Sequence, residues 1–223
     1  MSAIRVFGLI PSVVLMSATV AFGQQARQAE PLQRGYMTAT AGASFADQQT
    51  PTFGIEYGEP INPKVHAYAN FTYFDDLITD TAQSDLTDLE AALTRMTATT
   101  WGLTGFERGL SFSGGAKYVL SDPASSVRPY VGGGPGVLNL RRTIVETDLG
   151  DITNEVITVF GAQDGYIDAY KETTFRPMAE FLAGVGIASG RTYIDIGYRF
   201  NKVFKTPESF SFSQFKVGIG MRF

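Results

Sequence analysis

Cysteine is absent from this 223-residue chain, and histidine and tryptophan occur once each. With no thiol there is no disulfide and no cysteine-ligated metal, and a lone histidine, His66, cannot supply a multi-histidine metal site. A cysteine-free chain also suits passage through an oxidising compartment before folding. Positive charge is in short supply: 18 Lys and Arg stand against 22 Asp and Glu, for a net charge of −4. No basic stripe is available to neutralise phosphates along a backbone, so nucleic-acid binding is not expected. After the N-terminal segment, no run reaches the roughly 18 apolar residues that a membrane-spanning helix needs.

What the chain does have is alternation. In the last twelve residues, 212–223, Phe215, Val217, Ile219, Met221 and Phe223 share one parity and are all apolar. Gln214, Lys216, Gly218, Gly220 and Arg222 hold the other parity and are small or polar. Successive side chains on a strand point to opposite faces, so this is a strand with one apolar and one polar side. It also has the length of a tilted strand that crosses a bilayer, about 9–11 residues.

The N-terminus carries one basic residue, Arg5, then an apolar stretch over residues 6–16 and small residues up to Gly23. This pattern predicts a cleavable signal peptide over residues 1–23. A polar periplasmic tail over 24–33 follows, and then the structured part, 34–223. A secreted chain with alternating strands and no spanning helix can cross a membrane only as a closed barrel.

Taken in order, the alternation predicts eight strands. Strand one covers residues 35–45, strand two is centred on Phe53, Ile55 and Tyr57, and strand three covers 64–74. Strand four runs over 110–120, with residues 101–107 prolonging it above the membrane. Strand five, 129–141, is poorly marked because Gly132, Gly133, Gly134 and Gly136 blur its faces. A bulge or kink is expected at Pro135, which lacks an N–H. Strands six, seven and eight follow at 174–188, 191–203 and 212–223. Pro60 to Pro63 and Ser189-Gly190 read as tight turns. The residues around 75–109 and 144–172 form two long acidic connections. In the first, Thr87 with Glu90 fits a capping box, and Leu86, Leu89, Leu93 and Met96 fall at helical spacing. The fold expected is all-β: an eight-stranded antiparallel up-and-down transmembrane barrel with short turns at one end and two long extracellular loops at the other.

The inward parity collects charge. Glu56, Lys117, Arg176, Glu180, Asp195, Arg199, Lys216 and Arg222 all fall on it. An eight-stranded barrel leaves an interior that side chains can just fill, so these charges must pair. With Ser189-Gly190 as a two-residue turn, Glu180 lies opposite Arg199, and Lys216 on the last strand lies at similar height. The expectation is a lumen charge cluster built around Glu180, Arg199 and Lys216, with Glu56, Lys117 and Asp195 in the same interior. His66 is expected to be an interior histidine near Glu56, close to a turn. Apart from Glu107, in the extension of strand four, the two long connections hold thirteen of the 22 acidic residues. They lack EF-hand spacing and read as solvated loops; no metal and no cofactor is expected.

The ordered set Lys117-Tyr118, Arg128 to Gly134, Gly184-Val185-Gly186, Gly197 to Phe200 and Gly218 to Phe223 resembles the small OmpA/OmpX-like family of eight-stranded outer-membrane β-barrels. The resemblance covers the whole mature chain. It implies residence in the outer membrane among lipids and lipopolysaccharide, and insertion by the barrel-assembly machinery, for which the terminal Phe223 acts as a signal. It does not imply one activity. The reading drawn from these observations is a monomeric, non-enzymatic barrel with a structural or surface-interaction role. The alternatives are a small diffusion channel and, from a different class, a lipid A-modifying enzyme.

Overall fold

The computed structural model describes residues 34–153, 173–204 and 209–223. The expected signal peptide, the expected tail over 24–33 and the acidic residues Glu155, Asp164, Asp168 and Glu172 lie outside the described residues. Within them the chain forms β1 (Tyr36–Phe45), β2 (Gln49–Asn62), β3 (Val65–Phe74), α1 (Asp80–Thr97), β4 (Leu103–Val119), β5 (Val127–Glu146), β6 (Gly150–Asp151), β7 (Thr173–Ser189), β8 (Thr192–Val203) and β9 (Phe210–Arg222). Every neighbouring pair is antiparallel. β1 also pairs with β9, which closes eight of the strands into a barrel. The two-residue β6 only caps the far end of β5.

Alternation decides which side of the wall each residue occupies. Phe53, Phe112, Phe181, Phe215 and Ile219 point out of the barrel and stay exposed, whereas the residues between them in sequence are buried. An apolar band running round the whole outside of a closed barrel is far larger than a water-facing surface tolerates, and it suits hydrocarbon. Both ends of the described chain lie at the end of the barrel that holds the short turns: Phe223 N–H donates to Gly35 C=O at 3.0 Å. The opposite end carries the long connections.

Several local features depart from the sequence expectation, each for an identifiable reason. The β7–β8 turn is Gly190-Arg191 rather than Ser189-Gly190, with Ser189 opposite Thr192. Gly190 has φ of +57°, the sign that the first central position of a two-residue hairpin favours in glycine. The register therefore differs by two residues: Leu182, not Glu180, lies opposite Arg199, and Glu180 lies opposite Asn201. A shift of two keeps every side chain on its original face.

No bulge forms at Pro135. β5 pairs continuously with β7 through Pro135↔Ala179. On its other side the ladder to β4 resumes in the same register after Gly114 and Gly115. The one register shift in β2–β3 falls between Pro60 and Asn62. There Asn62 Oδ1 accepts from the N–H groups of both Lys64 and Val65 at 2.9 Å, so the turn lies at Pro63-Lys64 and the strand runs to Asn62.

The helix starts earlier than the capping box suggests. Thr79 is its N-cap, accepting from Ala82 N–H at 3.3 Å, and Thr87 lies mid-helix with its hydroxyl donating to Gln83 C=O. It ends at Ala98, whose left-handed φ of 54° lets its N–H return to Thr94 C=O. Leu86, Leu89 and Leu93 are buried as the spacing suggested, but Met96 is exposed.

Candidate functional site

The lumen is filled in layers. At mid-height Glu56 is the hub. Its Oε1 accepts from Tyr36 Oη at 2.8 Å and from Lys117 Nζ, and its Oε2 accepts from Lys216 Nζ at 2.7 Å and from Arg199. Arg199 also donates to Glu180 Oε2 at 2.8 Å, and Tyr68 closes that carboxylate with a 2.8 Å bond to Oε1. Asp195 completes the set: Tyr130 donates to its Oδ1 at 2.7 Å, and Lys216 Nζ lies 2.7 Å from its Oδ2. Lys117 Nζ stands 4.3 Å from the centre of the Tyr130 ring, close enough for a cation–π contact.

Three carboxylates and three cations thus share one buried layer, with no residue of the six more than about 2% exposed. Burying charge is tolerable only when each charge is paired and hydrogen-bonded. Equal numbers and a tyrosine on every carboxylate meet that condition.

The sequence placed all six residues inside but gave the wrong centre. Glu180 and Arg199 do pair, diagonally rather than face to face. Lys216 joins through Glu56 and Asp195, and no bond between it and Glu180 is formed. Arg176 lies on β7 beyond Met178, in the direction of the loops. The missed partners are Tyr36, Tyr68 and Tyr130. The signal for them was available: each shares the inward parity of its strand, and the rings of Tyr36 and Tyr130 each need a small neighbour. A Cβ on Gly58 would meet the Tyr36 ring at 2.2 Å, and one on Gly184 would meet Tyr130 Oη at 2.5 Å. Glycine on the inward face makes room for tyrosine from the strand beside it.

Above the ionic layer, toward the long connections, the interior turns apolar. Phe74, Leu138, Leu140, Met178, Val203 and Phe212 pack across the barrel, with Phe74 and Phe212 edge-to-face at 5.1 Å. Leu77 joins them from the connection after β3. It is held there by backbone bonds: Leu77 N–H donates to Glu107 C=O at 2.7 Å, and Asp76 Oδ1 accepts from Ile78 and Glu107 N–H, both at 3.0 Å. A short segment is therefore drawn over the barrel mouth as a lid.

Beyond this lid, β4 and β5 continue as a projecting hairpin, and α1 lies on it. Ile78, Ala82, Leu86, Leu89 and Leu93 pack against Leu103, Ile144 and Ile152. The buried pair Arg142–Glu107 fastens the hairpin, with Arg142 Nε donating at 2.7 Å. Two acidic residues of the hairpin end hold backbone. Glu146 Oε2 accepts from Asp148 and Leu149 N–H at 2.7 Å, and Asp151 Oδ1 accepts from Thr153 N–H at 3.0 Å. Among the described residues no three His, Cys, Asp or Glu side chains converge to hold a metal ion.

His66 lies near the short-turn end. It is buried and faces inward, but neither ring nitrogen has a hydrogen-bond partner, and Tyr36, not His66, occupies the position beside Glu56. Phe223, at the rim, stacks on Tyr57 with ring centres 6.0 Å apart.

A sealed eight-stranded barrel with an apolar outside is the frame of an outer-membrane protein. The family model described as "Outer membrane protein beta-barrel domain" matches residues 12–223. The chain belongs to that family. Outer-membrane β-barrel domains of known structure share its frame at low sequence identity. Neisserial surface protein A, from Neisseria, is 15% identical, with 85% of this chain and 96% of that one covered at a TM-score of 0.50. The N-terminal β-barrel domain of Pseudomonas aeruginosa OprF is 13% identical, with 87% and 100% covered, also at 0.50. Ail of Yersinia pestis, its attachment invasion locus protein, is 12% identical, with 85% and 97% covered at 0.46. No curated protein sequence matches. In an outer-membrane β-barrel the short turns face the periplasm and the long loops face outward, which places His66 on the periplasmic side and α1 on the cell surface.

Proposed function

We propose that this outer-membrane barrel is a non-catalytic anchor, monomeric in the membrane, whose work is done by the platform of α1 and the β4–β5 hairpin at the cell surface. The observation that carries this reading is the lumen. It is closed by an ion-paired layer and again by an apolar one, while the largest built structure outside the wall, among the described residues, is the helix-bearing loop. A family member that fills its interior twice over and builds a second apolar core above the membrane is organised for display. Its lipid partners are outer-membrane lipids and lipopolysaccharide. Arg108 and Arg141 are exposed and directly opposite one another toward the loop end. Insertion is by the barrel-assembly machinery, with Phe223 in the strand it reads.

The first alternative is a small diffusion channel. Single-channel recording in planar bilayers separates the two. The anchor reading expects no unitary current from the wild-type protein, and steady openings altered by Glu180→Gln would replace it with the channel. A lipid A-modifying enzyme is the second alternative. His66, the only histidine, faces inward on the periplasmic side, away from the outer leaflet. Mass spectrometry of lipid A from cells with and without the protein is expected to give the same profile, and a lost or added acyl chain would overturn the non-catalytic reading.

A further inference from the structure

The periplasmic mouth of the barrel is unlike the neutral layer above it. Arg34, Arg128 and Arg222 gather around a cavity of about 20 Å³ floored by His66, with Tyr36 and Tyr193 on its walls. Arg222 feels the charges of Arg128 and Arg34, and His66 feels those of Arg128, Lys117 and Arg222. Lys117 is already taken by Glu56. Arg128 spends part of its guanidinium on the turn, donating to Ser125 C=O at 3.0 Å and to Pro123 C=O. The acidic side chain acting on His66 from this end is Glu59, which accepts from Tyr57 at 2.6 Å on the outer face.

Arg128 and Arg222 have no carboxylate partner among the described residues, and the floor of the mouth is an imidazole that is only 5% exposed with both nitrogens unpartnered. Buried polar groups without partners are rare and costly. Elsewhere in this lumen each acid of the ionic layer is matched by cations and a tyrosine.

We propose that this mouth binds a small oxyanion, a phosphate or a carboxylate, with one oxygen entering the cavity to accept from His66 and the rest of the group held between Arg128 and Arg222. The cavity admits an oxygen-sized group and no more. The ligand is thus presented end-on, as a phosphate ester, a free phosphate or a terminal carboxylate would be. Arginine supplies several N–H donors at fixed geometry to such a group, and a charge-assisted bond is stronger than a neutral one. The proposal does not depend on what the surface platform does.

His66 is the only histidine of the chain, so isotope-labelled histidine gives one imidazole signal. The full chain in nanodiscs of zwitterionic lipid, at constant pH and ionic strength, is titrated with inorganic phosphate and with acetate in exchange for chloride. The expected result is a saturable shift of the imidazole signal with an oxyanion and none in chloride alone, weakened roughly tenfold in Arg222→Gln or in Arg128→Gln. A second series in discs containing anionic phospholipid distinguishes the sources. A shift already present before phosphate is added assigns a lipid headgroup, and a shift that needs phosphate or acetate assigns a soluble oxyanion. An imidazole signal that none of these moves in the wild-type protein overturns the proposal, with no variant needed. Equal shifts in the wild type and in both arginine variants overturn it too.

Discussion

The lumen and the surface platform solve the same packing problem in opposite ways. Inside the barrel, where the wall already turns its apolar face to lipid, the interior at mid-height is made of three acids, three bases and the hydroxyls of tyrosine. Outside the membrane, α1 and the β4–β5 hairpin are joined by aliphatic side chains, as in a water-soluble domain. The lipid accounts for the difference. A strand wall that must be apolar outside and alternate strictly has its polar residues left over for the inside. Charges there are held by one another and by three tyrosine hydroxyls, so the lumen is specific and intolerant. The platform depends on apolar burial, which degrades gradually as atoms are removed.

That contrast can be broken by substitution. Glu56→Gln is expected to have the largest effect, because it removes the carboxylate that Lys117, Lys216 and Arg199 share and leaves cations buried with too little counter-charge. Loss of one partner from a buried pair costs about 3–5 kcal/mol, and equilibrium urea unfolding in detergent micelles should show a loss of that order. Leu86→Ala should cost less, about 2–4 kcal/mol, and should loosen the platform while the barrel stays intact. Amide exchange would then rise over α1 and the upper hairpin and remain unchanged in β1, β8 and β9. Thr79→Ala removes the N-cap of α1 and should cost about 1 kcal/mol, confined to exchange in the first helical turn. A Leu86→Ala variant that unfolded the barrel, or a Glu56→Gln variant that loosened only the platform, would show that the two regions do not stand apart as described.

Much of the barrel was legible in the residues. The period of two in β2, β4, β7, β8 and β9 fixed which face was which, and it placed Glu56, Lys117, Glu180, Asp195, Arg199 and Lys216 together inside. Parity even survived the misplaced turn at Gly190-Arg191, because the resulting slip was two residues. What parity does not carry is height. Strands of a barrel tilt and stagger, so which inward residues share a layer depends on the register of every neighbour summed around the wall. Glu56 on β2 meets Arg199 and Lys216 from β8 and β9 by that sum, which is why a single hairpin singled out Glu180 instead. The Leu77 lid was hidden for a different reason. It sits in an irregular connection held by Asp76, and nothing periodic marks it. Thr87 misled because a capping pattern is local, whereas the true start at Thr79 is where the chain leaves the barrel mouth.

A closed lumen is what distinguishes an anchor from a channel, and the absence of native cysteine makes closure directly measurable. Ser113 is fully buried on the inward face of β4. Ser113→Cys places one thiol in the interior, and Ser121→Cys places one on the exposed turn beyond it. With a small, charged thiol reagent and the folded barrel in lipid vesicles, labelling is expected to be rapid at position 121 and absent at 113 until the barrel is unfolded. Labelling of both positions at comparable rates in the folded protein would contradict a closed lumen.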